Sequence, residues 1–182
     1  MATEFQPITD ADWPESLAEL KGGFATGLNV YRTMAHHPEL LAAWAPLRAH
    51  VVTAPSLTPD QSEVVILRTG HRLGAAYEWA HHVHRGRKIG MADARIASIA
   101  GPVAAMAPAD ATLARAVDEL FDARRLSPAS QQALLDLVGA QGMFDVIATV
   151  GFYSVLGFIV ESFDTPIDTA VAAELKEKPL AT

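Results

Sequence analysis

The sequence has no cysteine. That absence excludes a disulfide framework, a thiolate zinc site, an iron–sulfur cluster and a redox or nucleophilic thiol. Positive charge is also scarce. Lys and Arg total 14 against 21 Asp and Glu, giving a formal net charge of −7. No run of Lys or Arg occurs, so no nucleic-acid partner is expected. No stretch alternates with period two, so strands are not expected either. The first residues, Met1-Ala2-Thr3-Glu4-Phe5-Gln6, lack the basic-then-apolar pattern of a secretion signal, and a cytoplasmic address is the expectation.

What the chain does have is apolar content, at 50% of 182 residues. That length suits one domain over 1–182, with an irregular arm at about 1–14 and a tail at about 168–182. One stretch, 142–163, has the length of a bilayer span. Asp145 and Glu161 lie within it and no Lys or Arg flanks it, so it reads as a buried central helix and no membrane partner is expected.

Helical punctuation runs throughout, and the fold class is all-α. A helix pair is expected at about 14–28 and 29–35, and another helix at 39–52 after Pro38. Thr58-Pro59-Asp60-Gln61 combines a capping Thr, Pro at the first helical position and Gln at the capping-box position. That helix should reach Leu73 and stop at Gly74. A second should run from about Ala75 to Ile89 and stop at Gly90. Further helices are expected at 93–100, 110–125, 127–140 and 143–163, with a terminal one at 168–178. Leu57-Thr58-Pro59 matches Leu126-Ser127-Pro128 at an offset of 69, which suggests two related helical hairpins, the first carrying the chemistry.

Four of the seven histidines, His71, His81, His82 and His84, share one short window with Glu63 and Glu78. Glu78 stands at i,i+3 to His81 and i,i+4 to His82, so both rings lie beside one carboxylate. If the two helices pack antiparallel across Gly74, Glu63 comes to lie opposite His82. Such a cluster can move protons, hold a metal, or form a polar face. A Glu beside Val64-Val65-Ile66-Leu67 is costly unless paired. A di-metal bundle site is disfavoured because a second Glu-x-x-His is missing, although one metal on Glu63, Glu78 and His82 stays open. Tyr77 and Trp79 are candidates for walls of a binding pocket or for core packing.

The segment Tyr77-Glu78-Trp79-Ala80-His81-His82-Val83, with Glu63 before it and Arg87-Lys88-Ile89-Gly90-Met91 after it, resembles the carboxymuconolactone decarboxylase family. That family is similar to alkylhydroperoxidase D. Val150-Gly151-Phe152-Tyr153 adds to the likeness, which spans about residues 35–165. The resemblance implies an all-helical bundle built from helical hairpins, and a homo-oligomer (dimer, trimer or hexamer). In the peroxidase branch the pattern is a Glu, a Cys-x-x-Cys pair and a His. Those positions fall on Glu63, Ala75, Glu78 and His82, so the acid and the imidazole are retained and both sulfurs are gone. A thiol peroxidase cycle is therefore excluded. The decarboxylase branch implies a small organic acid or lactone as substrate, no cofactor, and acid/base catalysis by Glu63, Glu78, His82 and His81. It also implies an arginine that grips the substrate acid, with Arg68, Arg72 and Arg85 as candidates. Two alternatives remain: a metal-dependent enzyme using Glu63, Glu78 and His82, and a non-catalytic oligomeric binding or stress-associated protein.

Overall fold

The computed structural model describes residues 4–180, and they form helices and connecting loops with no strand among them. The chain opens on an irregular arm and a short 3-10 turn, Glu15–Leu20. Then come α1 (Phe24–Gly27), α2 (Asn29–Met34) and α3 (Pro38–Arg48), which continues into a π-helical turn, Ala49–Thr53. The helices α4 (Pro59–Leu73) and α5 (Ala76–Lys88) form the central hairpin. After them stand α6 (Asp93–Ser98), α7 (Pro108–Ala123), α8 (Pro128–Ser162) and α9 (Thr169–Glu177).

The start of α4 follows its sequence signals. Thr58 Oγ1 accepts from the Gln61 N–H and the Gln61 side chain accepts from the Thr58 N–H, a complete capping box. At the other end Gly74 adopts φ +67°, and Ala75 N–H donates to Gly70 O at 3.0 Å. That left-handed turn suits glycine and satisfies the last carbonyls of α4. The chain then reverses into α5 within two residues. Gly70 permits the close approach, because a Cβ there would stand 3.3 Å from Glu78 Cβ and 3.4 Å from the Trp79 backbone nitrogen.

Two expectations change, one at the N-terminal end and one in α8. The helix expected at about 14–28 is a 3-10 turn and a separate four-residue helix, with Gly22 at φ +80° between them. The second repeat unit is not a loop-separated hairpin: α8 is helical on both sides of a single break, Gly139, at φ +73° and ψ 178°. Ser127 caps its start by accepting from Ser130 N–H, as Thr58 does for α4.

The apolar interior falls into two clusters. One gathers Trp13, Tyr31, Leu41, Ile66, Tyr77, Phe152 and Leu156. The other gathers Val65, Leu67, Val83, Ile96, Leu113, Val117 and Val146. Helices α4, α5 and α8 contribute to both, so their facing sides lie where the clusters meet. α8 is long and apolar enough to cross a membrane, yet half of its most apolar stretch is buried inside the fold, as in a core helix.

Candidate functional site

On α5, residues 78, 81, 82 and 85 recur at helical spacing and share one side. That side faces the buried edge of α4 that carries Glu63. His82 Nδ1 lies 2.6 Å from Glu63 Oε2, and Arg85 Nε lies 3.0 Å from Glu63 Oε1. Glu63 is only 2% exposed, and these two partners offset the cost of burying its charge. With Nδ1 engaged by Glu63, Nε2 is the ring nitrogen left to exchange a proton. Nε2 points toward Glu78, whose Oε2 stands 3.8 Å away.

Glu78 is held differently. It is 3% exposed, and its Oε1 is buried with no hydrogen-bond partner. Burial pushes its pKa up to about 7, with His82 pulling weakly the other way. At neutral pH this carboxyl is therefore poised between acid and base.

His81 stacks on Tyr77, with ring centroids 4.1 Å apart. Asp168, the residue before α9, donates its N–H to His81 Nε2 at 3.4 Å, and its Oδ2 lies 3.1 Å from that nitrogen. Asp168 also accepts from Tyr77 O–H at 2.6 Å and from Asn29 N–H at 3.2 Å. Burial, followed by repulsion from His82 and His84, drives the His81 pKa down to about 3, so His81 is neutral. With its carboxylate engaged by Tyr77 and Asn29, Asp168 anchors His81 without charging it. His84 pairs with Glu174 of α9, so two carboxylates tie that helix to α5.

Glu78, His81, His82 and His84 border one cavity of about 240 Å³, together with Tyr31, Tyr153 and Arg85. Tyr153 meets His82 edge-on at 4.9 Å. Its hydroxyl is held far above the ordinary pKa by burial, then by Tyr31, Glu78 and Glu63. A larger depression, about 900 Å³, lies between α7 and α8, but Glu119, Arg124 and Arg125 are its charged groups and no histidine borders it.

The structure brings Glu63, Glu78, His81, His82, Tyr77 and Arg85 together and leaves three expected residues elsewhere. Arg68 lies five positions from Glu63, about 140° around the helix. It donates to Asp118 at 2.9 and 2.7 Å and to the carbonyls of Ile99 and Gly101. Arg72 pairs with Asp118 and Asp122. Both arginines fasten α4 to α7 and do not border the cavity. Trp79 turns away from Glu78 and packs on the second apolar cluster, near His71. The single-metal arrangement does not form either. His82 offers opposite ring nitrogens to Glu63 and Glu78, so one ion cannot touch all three, and no other His, Asp or Glu group among the described residues gathers as a metal site.

Among the cavity residues, Tyr31, Arg48 and Val171 carried no sequence signal of their own. They come from α2, α3 and α9, and only packing brings them together. Lys88 and Tyr153 sat within motifs that pointed to the family, and Asp168 within an ordinary helix start.

The model of the Carboxymuconolactone decarboxylase family matches residues 38–120. That span holds α3 to α6 and most of α7, including Glu63, Glu78 and His82. No curated protein matches the chain. Among solved structures, a cysteine-to-alanine variant of the debrominase Bmp8, in complex with 2,3,4-tribromopyrrole, is similar at 16% identity and a TM-score of 0.78. The match covers 97% of this chain and 98% of that one. An alkylhydroperoxidase AhpD core protein, an uncharacterized peroxidase-related protein from Ralstonia eutropha, is similar at 15% identity and a TM-score of 0.73, covering 93% and 96%. A peroxidase-related protein from a Silicibacter species gives 13% and 0.72, covering 93% and 95%. The fold is thus of the alkylhydroperoxidase D-like type, in a chain without cysteine.

Proposed function

We propose that this chain, whose segment 38–120 carries the carboxymuconolactone decarboxylase family match, is a cofactor-independent acid/base enzyme acting on a small organic acid or lactone. The observation that carries this reading is Glu78. It is a buried carboxyl with one oxygen free of partners and a pKa near 7, beside an imidazole oriented by a second carboxylate. It stands where the peroxidase pattern would place a sulfur.

In a decarboxylation the bond between the substrate ring carbon and its carboxylate breaks, and CO2 leaves. The electron pair moves into the neighbouring lactone carbonyl as an enolate. Neutral Glu78 then delivers a proton to that system and is left ionised; a proton from solvent, taken up at His82 Nε2, passes to Glu78 and restores it. An isomerisation uses the same pair, with Glu78 ionised at the start to remove the proton. Glu63, held in turn by Arg85, engages His82 Nδ1 and leaves Nε2 available. The debrominase structure holds a small planar ring, which gives the scale of ligand this fold accommodates. The cavity of about 240 Å³ is of that scale, below the roughly 300–1,000 Å³ usual for drug-sized ligands.

A homo-oligomer is part of the proposal. Phe144, Ile147, Val155 and Phe158 form an exposed apolar stripe along α8, and a second copy of the chain would cover it.

The experiment is a panel of lactone acids and small cyclic acids, followed by CO2 release and by loss of substrate, with the wild-type chain and His82→Ala. On a substrate the wild type turns over, His82→Ala is expected to lower kcat by about 100-fold or more. Unchanged turnover would remove His82 from the mechanism.

A further inference from the structure

The chain carries a net charge of −7, yet the cavity wall has the opposite sign. Arg48, Arg85 and Lys88 border it, and Glu78 is its one Asp or Glu among the described residues. Arg85 is committed to Glu63. Arg48 and Lys88 form no ion pair with any described residue, whereas Arg68, Arg72, Arg87 and Arg95 all do.

Arg48 is the more telling of the two. It ends α3 and reaches inward, its guanidinium carbon 4.0 Å above the Phe24 ring and 5.8 Å from the Tyr31 ring centre. Its Nε is buried without a hydrogen-bond partner. Stacking on Phe24 holds the plane of the fork and removes water from one face of it. The Tyr31 hydroxyl is within hydrogen-bonding reach of the guanidinium, but the buried Nε–H lacks the acceptor that desolvated N–H groups normally find. The rest of the wall is largely apolar: Leu28, Val30, Val52, Leu156 and Val171.

We propose that Arg48 is the anchor for the carboxylate of the ligand, with Lys88 at the cavity rim adding attraction, and that the site selects a small monocarboxylate with an apolar cyclic body. This rests on the acid/base reading only for the chemistry that follows binding, which for a ligand held by its sole carboxylate is the isomerisation rather than the decarboxylation. The carboxylate accepts from the Arg48 fork, the ring lies among the aliphatic residues and Tyr31, and the far edge reaches Glu78 and His82. The selection is for one charge at one end. A second charge on the body would lie against Leu156 and Val171 without a partner, at a desolvation cost.

Binding tests this without turnover. Sodium benzoate is titrated calorimetrically into the wild-type chain, Arg48→Gln and Arg48→Lys, with benzamide as the uncharged probe of equal shape. Wild type is expected to bind benzoate at least about tenfold more tightly than benzamide, and Arg48→Gln to lose that preference. Arg48→Lys, which keeps the charge but not the fork, is expected to recover part of it. Equal affinity for both probes, no benzoate binding at all, or an unchanged preference in Arg48→Gln would overturn the proposal. Should Arg48→Gln fail to fold, Lys88→Gln carries the test. Benzoate affinity should fall about two- to threefold in that variant and weaken as salt rises, and insensitivity to both would overturn the proposal. Loss of turnover in His82→Ala with benzoate binding intact separates the two readings. So does benzoate binding by a chain that turns over nothing.

Discussion

Burying a carboxylate with no cation at its side costs free energy unless the group takes up a proton. Glu63 and Glu78 lie on neighbouring helices, equally hidden, and meet that cost in opposite ways. Glu63 is met by His82 and Arg85. Glu78 has only the distant Nε2 and stays protonated to about pH 7. A carboxyl whose folded pKa lies above its unfolded value of 4.5 contributes stability that is full below pH 4.5 and is lost as the pH rises through about 7. Glu78→Gln has no such dependence. Thermal melts should therefore show Glu78→Gln matching wild type near pH 4.5 and exceeding it at pH 8, by roughly 3 kcal/mol at most. A constant difference across that range would contradict the account of Glu78. The cluster itself was legible in the sequence, because helical spacing alone puts Glu78 beside two histidines. The division of labour between the two carboxylates was not, since it depends on which one Arg85 reaches across the helix pair.

At the scale of elements, local chemistry marked ends better than interiors. Thr58-Pro59-Asp60-Gln61 and Gly74 bound α4 where capping rules put them, and α5 closes before Gly90. The break in α8 lies at Gly139, close to the expected boundary near residue 140, but it is a single residue with no loop around it. The sequence before residue 35 misled because Gly22 and Gly23 interrupt a pattern that reads as helical by composition. Arg68 and Arg72 misled for a geometric reason. Sequence proximity to Glu63 says nothing about which side of α4 they occupy, and Asp118 and Asp122 on α7 claim both. Arg48 was invisible for the converse reason, since it reaches the cavity from α3, 30 residues before Glu78 in the chain.

At the scale of the molecule, the site lies where two apolar clusters meet, and α9 is tied over it by Asp168 and Glu174. The same α8 that walls the site with Tyr153 and Leu156 turns Phe144 and Phe158 outward, 69% and 59% exposed. The resemblance implied a homo-oligomer, and in the proposal made above those rings are the surface a second copy would cover. Phe158→Asp should shift the light-scattering mass toward the monomer and leave the helical circular dichroism unchanged. An unchanged mass would place the contact elsewhere. The central claim concerns the proton on Glu78, and the most direct measurement needs no substrate. Glutamate side-chain carboxyl carbons are labelled with carbon-13 and titrated by NMR in the wild-type chain and in Glu78→Gln. The account predicts one resonance, missing from the variant, that titrates near pH 7. If the resonance lost in the variant titrates near the ordinary 4.5 instead, Glu78 is an ordinary ionised carboxylate and the acid/base mechanism built on it fails.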